Sequence, residues 1–245
     1  MSRPTALSAP ADAAPPPPRR PGRPGRNRTL LLATAAAVLV SALTAWVVGF
    51  SPLLGAKAVT VRGAHLVTAT QVRAAAGIKS GTPLVRLDPG AVARRVERLP
   101  EVATARVSRS FPSTVAITVV ERVALGYVES GTRFVLVDKT GDQFRSVSTA
   151  PRGLPLFAVP SGPSAKATGQ AVASVAGALS RTLRAQVASI QAFDPTAITL
   201  LLNDRRVVRW GSADRSDEKA KILPTLLAQP GSQFDLTNPD QPFTR

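Results

Sequence analysis

Hydrophobic and polar positions along the chain fall into three regimes. Between Arg28 and Lys57 the pattern is continuous: 28 consecutive residues carry no charge. Their most apolar part, Leu30 to Phe50, rises about 31 Å as a helix, which crosses a bilayer once. Trp46 and Phe50 suit a headgroup boundary, and Pro52 follows the point where the helix should stop. Beyond this run the pattern turns short and alternating. Lys57 to Arg62 alternates with β-branched residues and predicts a strand ended by Gly63. Thr68 or Thr70 caps a short helix through Ala76, stopped by Gly77, and Gly81-Thr82-Pro83 turns the chain before Leu84 to Leu87. Asp88 is an N-cap with Pro89 at the first helical position, and Val92, Val96 and Leu99 follow at helical spacing until Pro100. Val102 to Ser110 and Val115 to Arg122 predict two strands around Phe111-Pro112-Ser113-Thr114. The order is β-α-α-β-β, a sheet with two helices on one face.

In the third regime, Val123 to Glu129, Arg133 to Val137 and Gln143 to Arg145 predict a meander, and the Pro- and Gly-containing stretch 151–163 a loop. Ser164 to Ser189 predicts one Ala-rich helix weakened by Gly169 and Gly177. Ile190 to Phe193, Ala197 to Leu202 and Arg206 to Trp210 predict strands, with a hairpin at Asn203-Asp204. Ser212 to Gln229 predicts a second helix, interrupted or bent at Pro224, with Lys219 and Lys221 outward and Ile222, Leu223, Leu226 and Leu227 toward the core. A last short strand is expected over Ser232 to Thr237.

Charge gives the apolar run an orientation. Six basic residues precede it (Arg3, Arg19, Arg20, Arg23, Arg26 and Arg28) against one acid, Asp12. The short leader therefore stays in the cytoplasm, and the 195 residues from 51 on face the other side as a single-pass type II membrane protein. Ala56-Lys57-Ala58 offers a loose signal-peptidase site; the 28-residue leader and the length of the apolar run favour an uncleaved anchor instead. Small residues at Ala33, Ala37, Ser41, Ala45 and Gly49 form a ridge, which an Ala-rich span also produces without self-association. Eight prolines and almost no large apolar side chains make the leader, residues 1–29, a disordered basic tail. Its Arg-Pro-Gly repeats resemble minor-groove hooks, but basic residues beside a span serve topology and anionic lipid, and no nucleic acid is expected.

Composition then narrows the chemistry. The chain has 245 residues, 31 basic against 15 acidic, no Cys and one His, His65. Disulfides, thiolate catalysis and Cys-ligated zinc are excluded, and a lone turn histidine supplies no metal site, so no cofactor is expected. Eleven aromatics give few stacking faces for bases. Residues 51–245 carry 25 basic and 14 acidic side chains, a surplus that could give weak contact with anionic wall polymers. Ser216-Asp-Glu-Lys219 fits S-x-x-K and Lys139-Thr140-Gly141 fits K-T-G, two pieces of a serine acyltransferase site. Their chain order is reversed and no S-D-N element lies between them, so no catalytic set is expected. Glu121-Arg122 offers either an ion pair at a domain junction or two solvated charges.

Several of these segments carry a resemblance. Val59-Thr-Val-Arg-Gly63, Gly77-Ile78, Gly81-Thr82-Pro83-Leu84, Leu99-Pro100-Glu101-Val102, Ala105-Arg106-Val107, Phe111-Pro112-Ser113-Thr114 and Glu121-Arg122 together resemble the POTRA domain of the FtsQ/DivIB cell-division family. Val208-Arg209-Trp210-Gly211 through Lys219-Ala220 to Phe234-Asp235-Leu236 is similar to the close of that family's β domain. Family members commonly carry a proline after the Glu-Arg pair, where this chain reads Val123-Ala124. The resemblance implies an α+β fold: a single transmembrane helix (30–50), a POTRA β-α-α-β-β domain (51–122) and a mixed-sheet β domain with two helices (123–245). It implies a noncatalytic membrane scaffold of the bacterial divisome, recruiting FtsB/FtsL-type coiled-coil division proteins and other divisome components during septum formation. The expected mechanism is addition of a partner strand to the last strand of the β domain. The residues so implicated are Gln233, Phe234, Asp235, Leu236 and Thr237, with Leu226 and Leu227 as helix-side support. The competing function is a POTRA-type component of a protein transport or secretion system, which normally brings repeated POTRA domains or a barrel.

Overall fold

The computed structural model describes residues 26–50 and 55–244, so the leader up to residue 25 and the link at 51–54 lie outside the described residues. The chain divides into two units, one ending at Ser51 and the other beginning at Pro52. In the first, α1 (Arg26–Phe50) forms where the uncharged run predicts it. Its described side chains, Leu30 to Thr44 and Trp46, are all exposed. Among the described residues no helix is long and apolar enough to cross a membrane.

The second unit opens with the expected three-stranded domain: β1 (Ala58–Arg62), α2 (Ala69–Ala76), α3 (Pro89–Val96), β2 (Val102–Ser110) and β3 (Thr114–Glu121). Thr68 is the cap of α2, in a reciprocal box with Gln71, and Gly77 closes the helix in the left-handed conformation at φ 60°. Asp88 accepts from Gly90 and Ala91 at the start of α3. The helix ends at Val96, one turn before the expected stop at Pro100, and Leu84–Arg86 forms a 3-10 turn. Sheet order is β1-β3-β2, with β1 parallel and β2 antiparallel to β3. Val115, Ile117 and Val119 alternate inward and bury against Val72, Val92 and Val96 of the helices. This is hydrophobic burial organised by a period of two on one side and 3.6 on the other.

The second domain is one nine-stranded sheet, ordered β12-β11-β10-β9-β8-β7-β4-β5-β6. The meander gives β4 (Gly126–Ser130), β5 (Arg133–Val137) and β6 (Gln143–Val147). Four expectations need correction here. The 151–163 loop contains a strand, β7 (Leu156–Ala158), which pairs parallel with β8 and, through the single pair Tyr127–Leu156, with β4. The single long helix is three elements: α4 (Ala165–Ala178), α5 (Arg181–Gln186) and β8 (Val187–Ala192). The sheet therefore carries three helices, not two. Leu179 is extended and Ser180 caps a new start through Leu183, after which the β-branched stretch at Val187 and Ile190 is claimed by ladders to β7 and β9. The last helix, α6 (Ser216–Leu227), starts four residues late because Arg215 sits at φ 53° just before it, and it continues through Pro224. Lys219, expected outward, is 2% exposed.

β9 (Ile198–Leu202) and β10 (Val207–Gly211) form the predicted hairpin. Ile190, Leu200, Val208 and Trp210 face Val172, Val175, Leu223 and Leu226 of α4 and α6, which makes one core on one face of the sheet. The final strand is the fourth correction. β11 covers Gln233–Asp235 only, and a further strand, β12 (Phe243–Thr244), lies outside it.

Candidate functional site

The edge of the sheet at β11 and β12 is where sequence places recruitment. β11 runs parallel to β10, with Val207, Val208 and Arg209 opposite Gln233, Phe234 and Asp235. Parallel strands need a crossover, and α6 supplies it. Phe234 and Leu236 point into the core at 1% and 0% exposure, and Arg206 lies over the Phe234 ring at 5.5 Å. Leu226 is buried too, and Leu227 is half-buried while its carbonyl accepts from the Arg206 guanidinium at 2.7 Å. Of the seven expected residues, only Gln233 and Thr237 are exposed; Asp235 is partly so and accepts from the Thr237 backbone.

The outer side of β11 is not open. Phe234 pairs with Thr244 and Asp235 with Phe243, antiparallel. The sheet margin is thus β12, two residues long, and no hydropathy signal announces so short a strand. The loop between the strands is tied down by Arg215, whose Nη1 and Nη2 donate to both oxygens of Asp240 at 2.8 and 2.9 Å while Nε donates to Glu218 at 2.9 Å. Asp240 and then Glu218 push the guanidinium pKa up, and Arg215 in turn holds the Asp240 carboxyl below the usual range. Thr244 Oγ1 donates to Gln229 Oε1 at 3.2 Å.

The acyltransferase fragments do meet: Lys139 and Ser216 line one cleft between α4 and α6. Ser216 and Lys219 of the first fragment are committed to structural bonds. Ser216 Oγ accepts from Trp210 Nε1 at 3.0 Å and donates to the Ala213 carbonyl at 2.7 Å. Lys219 Nζ donates to the carbonyls of Trp210 and Ser212 at 2.9 and 3.0 Å and lies 5.9 Å from the Trp210 ring centroid. Burial lowers its pKa, but both bonds require it as a donor. The K-T-G turn is organised by Asp138, which accepts from Thr140 N, Thr140 Oγ1 and Asp142 N.

Glu121-Arg122 resolves into two separate devices. Glu121 Oε1 accepts from the backbone of His65, Leu66 and Val67 at 2.7 to 2.9 Å. Burial raises its pKa, but those three bonds together prevail and leave it lowered. Arg122 reaches from the end of β3 into the second domain, donating to Asp138 and, at 3.1 Å, to Asp142. Its own backbone N donates to the Glu101 carbonyl, so one residue belongs to both domains. Among the described residues no cluster of His, Cys, Asp or Glu could hold a metal ion.

A family model described as "POTRA domain, FtsQ-type" matches residues 54–122, and one described as "Cell division protein FtsQ/DivIB, C-terminal" matches residues 126–237. Among curated relatives, Cell division protein FtsQ of Mycolicibacterium smegmatis is 40% identical over 89% of this chain and 65% of its own length. Those of Mycobacteroides abscessus and Streptomyces bingchenggensis are each 37% identical, over 90% and 91% of this chain and 72% and 88% of their own. The chain thus spans just under two thirds of the M. smegmatis protein. The solved extracytoplasmic domain of the cell-division protein DivIB from Geobacillus stearothermophilus aligns at TM-score 0.35 and 16% identity, over 43% of this chain and 90% of that one, too distant to support an argument. With two tandem domain matches covering both folded modules and relatives aligned over about nine tenths of this chain, this chain belongs to the FtsQ/DivIB family of noncatalytic cell-division proteins.

Proposed function

We propose that the chain is a bitopic scaffold of the bacterial divisome, held by α1 with its leader in the cytoplasm and its two domains outside, and that it recruits FtsB/FtsL-type coiled-coil partners by strand addition. The observation that carries this is the sheet margin. Among the described residues the nine-stranded sheet ends in a two-residue strand, β12, and an extended partner segment completes a sheet margin with backbone bonds. Side chains of β11 that point inward hold the strand in place; those of β12 and the exposed Gln233 and Thr237 flank the edge. The anchor reading is supported by α1 itself, where Leu30, Leu31, Leu32, Val38, Leu39, Val40, Leu43 and Trp46 stand 59–71% exposed. Apolar surface on that scale, over the described side chains of α1, is stable in lipid and costly in water.

Co-purification with cross-linking from membranes tests the recruitment reading in three versions of the chain: intact, truncated before Pro242, and truncated before Gln233. Partner addition at β12 predicts loss in both truncations. Retention in the first and loss in the second moves the site to β11, the strand expected from sequence. Retention in both retires strand addition at this margin.

A further inference from the structure

The entry end of the first domain is built differently from its far end. Ala56 N donates to the Thr82 carbonyl at 2.8 Å, Gly81 N to the Ala56 carbonyl at 2.9 Å and Lys57 N to the Ser113 carbonyl at 2.8 Å, while Gly55 bridges Pro83. Three segments therefore meet where the chain enters: residues 55–57, the loop 79–87, and the β2–β3 hairpin at 109–113. Together they hold Lys57, Lys79, Arg86 and Arg109 and no acidic residue. Lys57, Lys79 and Arg86 are exposed, as are two large apolar side chains, Val85 at 39% and Phe111 at 58%. Arg109 arches over the same end with its guanidinium on the Leu87 carbonyl at 2.7 Å. Of the domain's acids, Asp88 directly follows the 79–87 loop, where its carboxylate caps α3, while Glu121 and Glu101 lie at the junction with the second domain and Glu97 accepts from the Ala105 backbone N.

Exposed basic residues on segments that meet beside an exposed aromatic form the composition that favours the headgroup layer, where cations meet phosphate and a ring enters the acyl boundary. The chain length fits the same surface. Five peptide steps join Phe50 to Gly55, at most about 18 Å of contour, so an α1 held in a bilayer keeps this end within reach of it.

We propose that this end of the POTRA domain docks on an anionic phospholipid surface, with Lys57 and Lys79 on headgroup phosphates and Phe111 inserted between them. The inference rests on the reading of α1 as a membrane anchor. It is tested on a fragment from residue 52 on, which contains both hydrophobic cores and lacks α1. Sedimentation with vesicles of phosphatidylglycerol and phosphatidylcholine should carry the fragment down, pure phosphatidylcholine should not, and high salt should release it. Each basic residue near such a surface is worth about fivefold in affinity, so the double variant Lys57→Glu, Lys79→Glu should lose at least about 25-fold. Phe111→Ser should lose about tenfold, the scale of burying one aromatic side chain. All three positions are exposed, so folding is untouched; circular dichroism checks it. Lys166→Glu with Arg181→Glu on the second domain should change nothing. Equal loss in that control, unchanged binding in the Lys57/Lys79 variant, or equal binding to soluble polyphosphate overturns the proposal. Alkaline carbonate extraction of the full chain judges the anchor separately: release into the supernatant defeats the anchor reading without touching the vesicle result.

Discussion

Replacing Asp138 by alanine removes the acceptor that ties the first domain to the second. The Asp138 side chain is 5% exposed and takes the Arg122 guanidinium, itself 20% exposed, along with three bonds from its own turn. Removing one partner of a buried ion pair costs about 3–5 kcal/mol, because the other charge is left uncompensated. Arg122 keeps Asp142 and some water, so Asp138→Ala should fall at the lower end, about 3 kcal/mol. Arg122→Met leaves Asp138 its turn bonds and should cost about 1.5 kcal/mol, the scale of one hydrogen bond to a charged group. Once the pair is gone the second change adds little, so the double variant should stay near about 3 kcal/mol, a coupling of about 1.5 kcal/mol. The assay is urea unfolding of the fragment from residue 52 on, in which Trp210 is the one tryptophan and reports the second domain, with far-ultraviolet dichroism reporting both. Acid provides a second readout. Burial raises the Asp138 carboxyl pKa, yet the bonds from Thr140 and Arg122 outweigh it and hold the folded value below the usual range. The contribution is therefore complete above the unfolded value, about 4, and is lost as pH falls through the lower folded one. The gap between wild type and Asp138→Ala should be flat from about pH 5 to 8 and close below about pH 4. A cost under about 1 kcal/mol at neutral pH, or additivity in the double variant, refutes the joint.

Other outcomes follow from single contacts. A Cβ on Gly63, at φ 76°, would stand 2.2 Å from the Val119 carbonyl oxygen. Gly63→Ala should thus cost about 3 kcal/mol in thermal or urea unfolding of the first domain, and a neutral result would mean that β1 shifts freely against β3. Glu121→Ala strips three backbone donors of one acceptor and should cost about 1 kcal/mol, as loss of a helix cap does, with faster amide exchange at His65, Leu66 and Val67; unchanged exchange there would show water replacing the carboxylate at no loss. Lys219→Ala leaves the Trp210 and Ser212 carbonyls without donors and opens a void beside the indole, which should cost about 2–4 kcal/mol by Trp210-detected unfolding. Arg215→Ala should speed amide exchange at Phe243 and Thr244 without altering the core, and protection equal to wild type would show that β12 stands without its Asp240 tether.

The sequence by itself determined what local chemistry fixes. The uncharged run is a helix, and the caps at Thr68 and Asp88, the stop at Gly77, the alternation in β2 and β3 and the hairpin at Asn203-Asp204 all fall where residue type and period put them, because each rests on bonds within a few residues. Tertiary structure decided the rest. Leu156–Ala158 and Val187–Ala192 are strands because distant neighbours fill their ladders; read alone, one looks like a loop and the other like the end of a helix. Lys219 turned inward because two carbonyls and an indole, brought together by the β10-to-α6 turn, compensate a buried charge that its local sequence assigns to solvent. The margin of the sheet belongs to β12, a two-residue strand too short for any period, which only its pairing with β11 and the grip of Arg215 on Asp240 bring into register. Bonds between residues far apart in the chain leave no trace in local pattern, and the β12 margin is made of such bonds.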